Sequence, residues 1–291
     1  MKINVLIVNA FTEEIKGGNP AGVLLDSPSF TDEQMAYVSK ELEVSETAFV
    51  FPSKKADYKT RFFSPTIEVD LCGHATIATF YTMALKGEFT QNKNMVVTQE
   101  TKAGIFPVNI EFTKDKKIDR VMMHQREPVL KTVKIDISDI ADSLKISVDA
   151  IDDSLPRQIV STGLFTLPVC IKSFDTLKTI RPNFEKIKKI CNQLMVGSFH
   201  LFTFETIEPG SIYHARNFAP VYAVNEDSVT GTANGAVCSY LLKNNLIKDK
   251  KLVCEQGDII GRSGRVFVEI ENNIVKVGGR ARIVEEKELE I

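Results

Sequence analysis

Three side chains close to glycines have types and spacing that could do chemistry. The segment DLCGHAT (residues 70–76) sets Cys72 and His74 on either side of Gly73. SETAF (45–49) brings a carboxylate, Glu46, to the start of an apolar alternation. Imidazoles and carboxylates are the groups most used to move protons near neutral pH. A cysteine at a helix N-terminus is a candidate nucleophile or proton carrier. A second segment, DSVTGTA (227–233), keeps the glycine and the following alanine, but Thr230 replaces the thiol, Thr232 the imidazole, and Asp227 lies just ahead. Each group also has an ordinary reading: Glu46 as a cap partner of Ser45, His74 as a structural histidine, Asp227 as an acid favoured near a helix N-terminus. A carboxylate opening an apolar strand is costly unless paired or working. The second position of a helix is a poor place to pack a histidine. Glu46, His74 and Asp227 are therefore the candidate proton-moving set, with Cys72 as the alternative.

Composition narrows the classes. The chain has 291 residues, 43% of them hydrophobic, enough for one large or two ordinary domains. Its formal net charge is −2, with acids and bases interspersed, which points to neither a nucleic-acid nor a membrane partner. There is no apolar run long enough for a bilayer, and MKINVLIVNAF reads as a buried strand rather than a signal peptide. The five cysteines are odd in number and scattered, and the four histidines are far apart, so neither a disulfide framework nor a sequence-local metal site is expected. A reducing cytoplasm is the expected compartment. No phosphate-binding glycine motif supports a nucleotide cofactor.

The elements that must position these residues are written twice. SETAFVF (45–51) matches SFHLFTF (198–204), RFFSP (61–65) matches RNFAP (216–220), and GHATIA (73–78) matches GTANGA (231–236), in the same order and at a nearly constant separation. Three matches in register argue for a duplicated unit. In this alignment Phe199 is the counterpart of Glu46. TDEQMAYVSKELE (31–43) reads as a helix capped by Thr31, and RPNFEKIKKICNQL (181–194) as its partner with Pro182 in the first turn. Phe49 with Phe51, and Phe202 with Phe204, fall on one face of short strands. Gly73 to about Leu85 and Gly231 to about Leu242 are small and apolar nearly all round, as buried central helices are. The expected division is 1–118 and 119–291, the final strands being free either to return to the first half or to stay with the second. Two such halves leave a cleft in which both helix N-termini favour an anion such as a carboxylate.

GGNPAGV (17–23), SETAF, LCGHAT (71–76), NEDSVTGTANG (225–235), RFFSP and RNFAP resemble the signature segments of the PhzF-like isomerases of phenazine biosynthesis, in order and over nearly the whole chain. The resemblance implies the diaminopimelate epimerase-like fold: α/β (α+β), with two pseudo-symmetric halves, each a curled, mostly antiparallel sheet around a central helix. It implies that Glu46 is the general acid/base moving a proton between carbons of a small carboxylate metabolite, assisted by His74 and Asp227. Asn19, Thr232 and the backbone at Gly73 and Gly231 would hold that substrate; Thr232 stands where the characterised member has serine. No cofactor and no metal is implied, and a homodimer is expected. Racemases and epimerases on the same fold use a cysteine at each helix N-terminus, and Thr230 removes the second thiol. A one-cysteine dehydratase or epimerase using Cys72 is the alternative mechanism, and a small-ligand-binding protein without catalysis the alternative class.

Overall fold

The computed structural model describes residues 2–27, 29–89 and 93–291. The chain forms two compact units, Met1–His124 with Gly278–Ile291, and Gln125–Val277.

The first unit contains β1 (Lys2–Ala10), β2 (Asn19–Leu24), α1 (Asp32–Glu41), β3 (Glu46–Pro52), β4 (Tyr58–Phe63), the two-residue β5 (Glu68–Val69), α2 (Gly73–Leu85), β6 (Met95–Thr101), β7 (Gly104–Phe112) and β8 (Ile118–His124). The C-terminal strand Ala281–Glu290 returns to run antiparallel to β1 along its whole length, from Lys2 opposite Glu290 to Ala10 opposite Ala281. The strand order is C-terminal strand, β1, β2, β3, β4, β6, β7, β8, with β5 also on β4. The pairs β2–β3 and β4–β6 are parallel and the rest antiparallel. The expected end at residue 118 falls instead after His124, because Ile118–His124 extends the sheet on β7.

Two helices take opposite roles here. α1 starts where Thr31 and Gln34 form a reciprocal capping box, and lays Met35 and Val38 on a core with Phe30, Phe49 and Phe63. α2 is buried at every position from Ala75 to Ala84, so it has no solvent face and must be wrapped by the sheet.

The second unit contains β9 (Val129–Thr132), α3 (Ile137–Leu144), β10 (Gln158–Ser161), β11 (Phe165–Cys170), α4 (Phe174–Thr179), α5 (Phe184–Leu194), β12 (Ser198–Thr203), β13 (Tyr213–Ala219), β14 (Val224–Asp227), α6 (Gly231–Lys243), β15 (Lys251–Gln256), β16 (Gly264–Glu271) and β17 (Ile274–Gly279), the last two residues of β17 falling with the first unit. The order β9, β10, β11, β12, β13, β15, β16, with β14 on β13, repeats the first unit's plan: β11–β12 and β13–β15 are its parallel pairs. α6 is the wrapped helix, buried from Ala233 to Leu241, while α3, α4 and α5 cover the outer face. α5 begins two residues later than its proline suggested. Asn183 caps the Lys186 amide, and Pro182 lies ahead of the cap rather than in the first turn.

The register corrects one equivalence drawn from the sequence. Phe49 lies opposite Arg61, but the counterpart Arg216 lies opposite Leu201, not Phe202. Phe199 and Leu201 join the outer core under α5, so Ser198, His200 and Phe202 point the other way. Phe202 meets Tyr213 at 5.4 Å between ring centroids. The counterpart of Glu46 is therefore Ser198, not Phe199. A one-residue slip reverses the face of every side chain in a strand.

Buried charge locks the second unit. Glu255 of β15 takes hydrogen bonds from the Ile207 and Glu208 amides, at 2.8 and 2.7 Å, and from Nδ1 of His214, at 2.9 Å. Burial alone would push its carboxyl up, but the His214 bond and the two amides outweigh it and hold the group down to about 2. The folded-state value lies below the unfolded one, so the stabilisation is complete above the ordinary carboxylate range and disappears as pH falls through about 2. It amounts to on the order of 3 kcal/mol. In urea unfolding, the stability gap between the wild type and Glu255→Gln should shrink as pH is lowered from about 5 to about 3. His200, held down to about 4 by burial, loses stability in acid too, but it is common to both proteins and cancels.

Candidate active site

In the first unit, α1 ends at Leu42, and Glu43 turns the chain with a positive φ of 55°. Leu42 and Val44 are buried in the outer core and pin that turn. Ser45 and Glu46 follow, with Glu46 opposite Ala21 of β2. Thr47 and Phe49 face α1, so Glu46 and Ala48 face the central helix. The GGNPAGV segment makes this close: Gly18 turns with φ +64° where a Cβ would lie 2.1 Å from the Ala10 carbonyl oxygen, and a Cβ on Gly22 would lie 2.5 Å from Thr47 Oγ1. Asn19 is buried, two residues before Ala21 on the same face of β2.

Three predicted residues meet at the start of α2. Cys72 is the N-cap, Gly73 the first helical residue and His74 the second. His74 Nε2 lies 3.3 Å from Glu46 Oε2 and 3.4 Å from Ser45 Oγ. Cys72 Sγ lies 3.5 Å from His74 Nδ1 and 3.9 Å from Nε2. Donor atoms of Glu46, Cys72 and His74 all fall within 4.8 Å of one another, close enough to hold a metal ion. The Glu46 side chain is 24% exposed and that of His74 12%, so solvent and small molecules reach both. The Cys72 side chain does not cap the helix. The first turn is fixed from below, where Thr76 Oγ1 donates to the Cys72 carbonyl at 2.8 Å and lies 3.2 Å from the Gln99 side-chain amide of β6. The early N–H groups of the helix lack intrahelical acceptors, and with its dipole they form an anion-attracting end.

The second unit repeats this position with different side chains. Counting from the helix starts, Thr230 matches Cys72, Gly231 matches Gly73 and Thr232 matches His74. With Ser198 matching Glu46, three hydroxyls stand where the first unit has a carboxylate, a thiol and an imidazole. Asp227 ends β14 opposite Asn217, and Val69 occupies the same place opposite Phe62 in the first unit. Its Oδ2 accepts the Thr230 hydroxyl at 2.5 Å. Thr232 is half-buried, and its carbonyl accepts from Thr162 Oγ1 at 3.2 Å.

Gln256, which no sequence signal had singled out, holds this helix start together. Its Oε1 accepts from the Thr230 amide at 3.1 Å and Asn234 Nδ2 at 2.8 Å, while its Nε2 donates to the Asp227 carbonyl at 2.9 Å and Thr230 Oγ1 at 3.2 Å. Tyr213, whose phenol burial keeps well above its ordinary value and thus neutral, donates to Asn234 Oδ1 at 2.8 Å. Gln256→Leu would leave several buried polar groups unpaired, at about 1–3 kcal/mol each. We expect a loss of about 3 kcal/mol in urea unfolding.

A concavity in the second unit, lined by Ile137, Ile140, Leu167, Cys170 and Tyr240 among others, contains none of the predicted site residues. Burial pushes the Cys170 thiol there up to about 12, which leaves it unreactive near neutrality. No helix among the described residues is long and apolar enough to cross a membrane.

Two wrapped helices in duplicated α/β units, with an acid–imidazole–thiol cluster at one helix start, define an epimerase-like fold. Residues 8–287 match the family model of the phenazine biosynthesis-like proteins, PhzC-PhzF, and the chain belongs to that family. It is 37% identical over 280 residues to the uncharacterized isomerase YfhB of Bacillus subtilis, covering 96% of this chain and 93% of that protein. It is 34% identical over 312 residues to an uncharacterized isomerase of Clostridium acetobutylicum, covering 99% of this chain and 98% of the relative. A crystal structure of a PhzF-family phenazine biosynthesis protein of Bacillus anthracis superposes with a TM-score of 0.91 at 33% identity, covering 100% of both chains. A hydroxyproline epimerase from Agrobacterium vitis shares the fold, at a TM-score of 0.61 and 14% identity over 99% of this chain and 91% of that one.

Proposed function

We propose that this protein is an isomerase that moves a proton between carbons of a small carboxylate-bearing metabolite, with Glu46 as general acid/base. The observation that carries the reading is the Glu46 carboxylate 3.3 Å from His74 Nε2, at the open start of α2. A carboxylate beside an imidazole can take a proton from carbon and return it elsewhere, while His74 orients it or shares the proton. The helix end attracts the substrate's own carboxylate and stabilises the charge that develops on deprotonation. Conjugation in the substrate supplies the carbon acidity, so this step needs no cofactor. Asn19, Gly73, Gly231 and Thr232 are the proposed binding positions. Asp227 is the proposed acid/base contribution of the second unit, with the Thr230 hydroxyl holding its carboxylate and Gln256 its backbone carbonyl. The relatives named as isomerases support the reaction class.

The test is solvent-deuterium uptake. The protein is incubated in D2O with a panel of small unsaturated and hydroxylated carboxylates, and loss of each C–H resonance is followed by NMR. Exchange in at least one compound supports the reading; a panel that stays fully protonated counts against it. A second reading has its own observation, the Cys72 thiol 3.5 Å from His74 Nδ1, the arrangement a one-cysteine dehydratase or epimerase needs. On the Glu46 mechanism, Cys72→Ala keeps deuterium exchange within about tenfold of wild type. On the thiol mechanism it abolishes exchange.

A further inference from the structure

We propose that Glu46, Cys72 and His74 form a three-donor site for a thiophilic divalent cation of the zinc class. A tetrahedral zinc ion with bonds of about 2.0–2.3 Å holds its ligand atoms about 3.3–3.6 Å apart. With Nε2 of His74 as the imidazole ligand, Glu46 Oε2 is already at 3.3 Å, Cys72 Sγ at 3.9 Å is a few tenths of an ångström beyond that spacing, and all three donors lie within 4.8 Å. Sγ, nearly equidistant from the two ring nitrogens, sits beside the imidazole rather than on either lone-pair axis. Closing the site requires Sγ and Nε2 to approach by a few tenths of an ångström. Thiolate, imidazole and carboxylate together select zinc or cobalt over magnesium or calcium, which prefer oxygen donors alone. Three protein ligands leave the fourth position open to water or a substrate carboxylate.

The second unit supplies an internal contrast. Ser198, Thr230 and Thr232 stand at the matching positions, and neutral hydroxyls are poor ligands for a soft cation. The chain thus binds one ion, not two. Cys170, Cys191, Cys238 and Cys254 are all buried, and among the described residues none of them belongs to such a group. A bound ion would occupy the Glu46 carboxylate and stop it carrying a proton, so zinc inhibits the isomerisation. That last consequence rests on the proposed function, whereas the binding does not.

Cobalt(II) titration of the full chain, reduced with a phosphine, tests the site without any substrate. The expected result is one cobalt per chain, visible d–d bands of tetrahedral intensity and a near-ultraviolet thiolate-to-cobalt charge-transfer band. Cys72→Ser should lose the charge-transfer band, and His74→Ala should bind cobalt at least ~10-fold more weakly, each with circular dichroism matching wild type. Cys191→Ser should keep the full spectrum. A wild type that shows no charge-transfer band, or a Cys72→Ser protein that keeps it, overturns the proposal. Deuterium uptake by the metal-free protein is a separate measurement, so failure of the cation site and failure of the isomerase reading are told apart.

Discussion

Glu46→Gln is expected to lower solvent-deuterium exchange by ~10²–10⁴-fold while leaving the fold intact. Glutamine keeps the size of the side chain and an oxygen that can face His74, but it cannot accept a proton from carbon. The position is partly open, 24% exposed, and the contact with His74 is not sealed from water, so the substitution should cost less than about 1 kcal/mol of stability. Melting temperature and circular dichroism measured beside the exchange rate would separate chemistry from folding. Ser45→Ala, which removes only the 3.4 Å contact to His74, should lower exchange by no more than about tenfold.

Arg216→Ala should be the most destabilising of the substitutions considered. This arginine opens RNFAP, is 6% exposed, and makes a two-pronged pair with Glu226 at 2.8 Å in both contacts. Its Nη1 also donates to the Leu177 and Ile180 carbonyls, each at 3.0 Å, tying α4 and the residue after it to β13. Alanine would strand a mostly buried carboxylate and two carbonyls, a loss of about 3–5 kcal/mol. Lysine offers a single ammonium in place of the fork and should rescue little. Arg61, at the matching position of RFFSP, is 22% exposed and pairs with Glu68 and with the 66% exposed Asp32. Arg61→Ala should cost no more than about half as much, because solvent can take over the broken contacts. Urea unfolding of the two variants tests this ordering directly.

The duplication, the two wrapped helices and the capped α1 were legible because each is written in local pattern: small apolar residues all round a helix, a capping box, paired motifs in order. Glu46, Cys72 and His74 were legible as individual residues, and their meeting followed from placing one strand beside one helix start. The register of β12 was not legible. SFHLFTF aligns with SETAFVF by letter, yet packing under α5 moves Phe199 outward and gives the place of Glu46 to Ser198. Only contact with a neighbouring layer decides such a slip. Gln99 and Gln256 were also silent in the sequence. A glutamine inside a strand is unremarkable until the helix whose first turn it anchors is seen against it. Pro182 misled by two positions, since Asn183 caps the helix better than proline starts it.

The proposed isomerisation requires that Glu46, and not Cys72, carry the proton. It is tested most directly by measuring deuterium incorporation from D2O into one exchanging carboxylate with Glu46→Gln and Cys72→Ala side by side. Cys72→Ala is expected to stay within about tenfold of wild type while Glu46→Gln falls by ~10²-fold or more. Normal exchange by Glu46→Gln together with a silent Cys72→Ala would contradict it and assign the chemistry to the thiol.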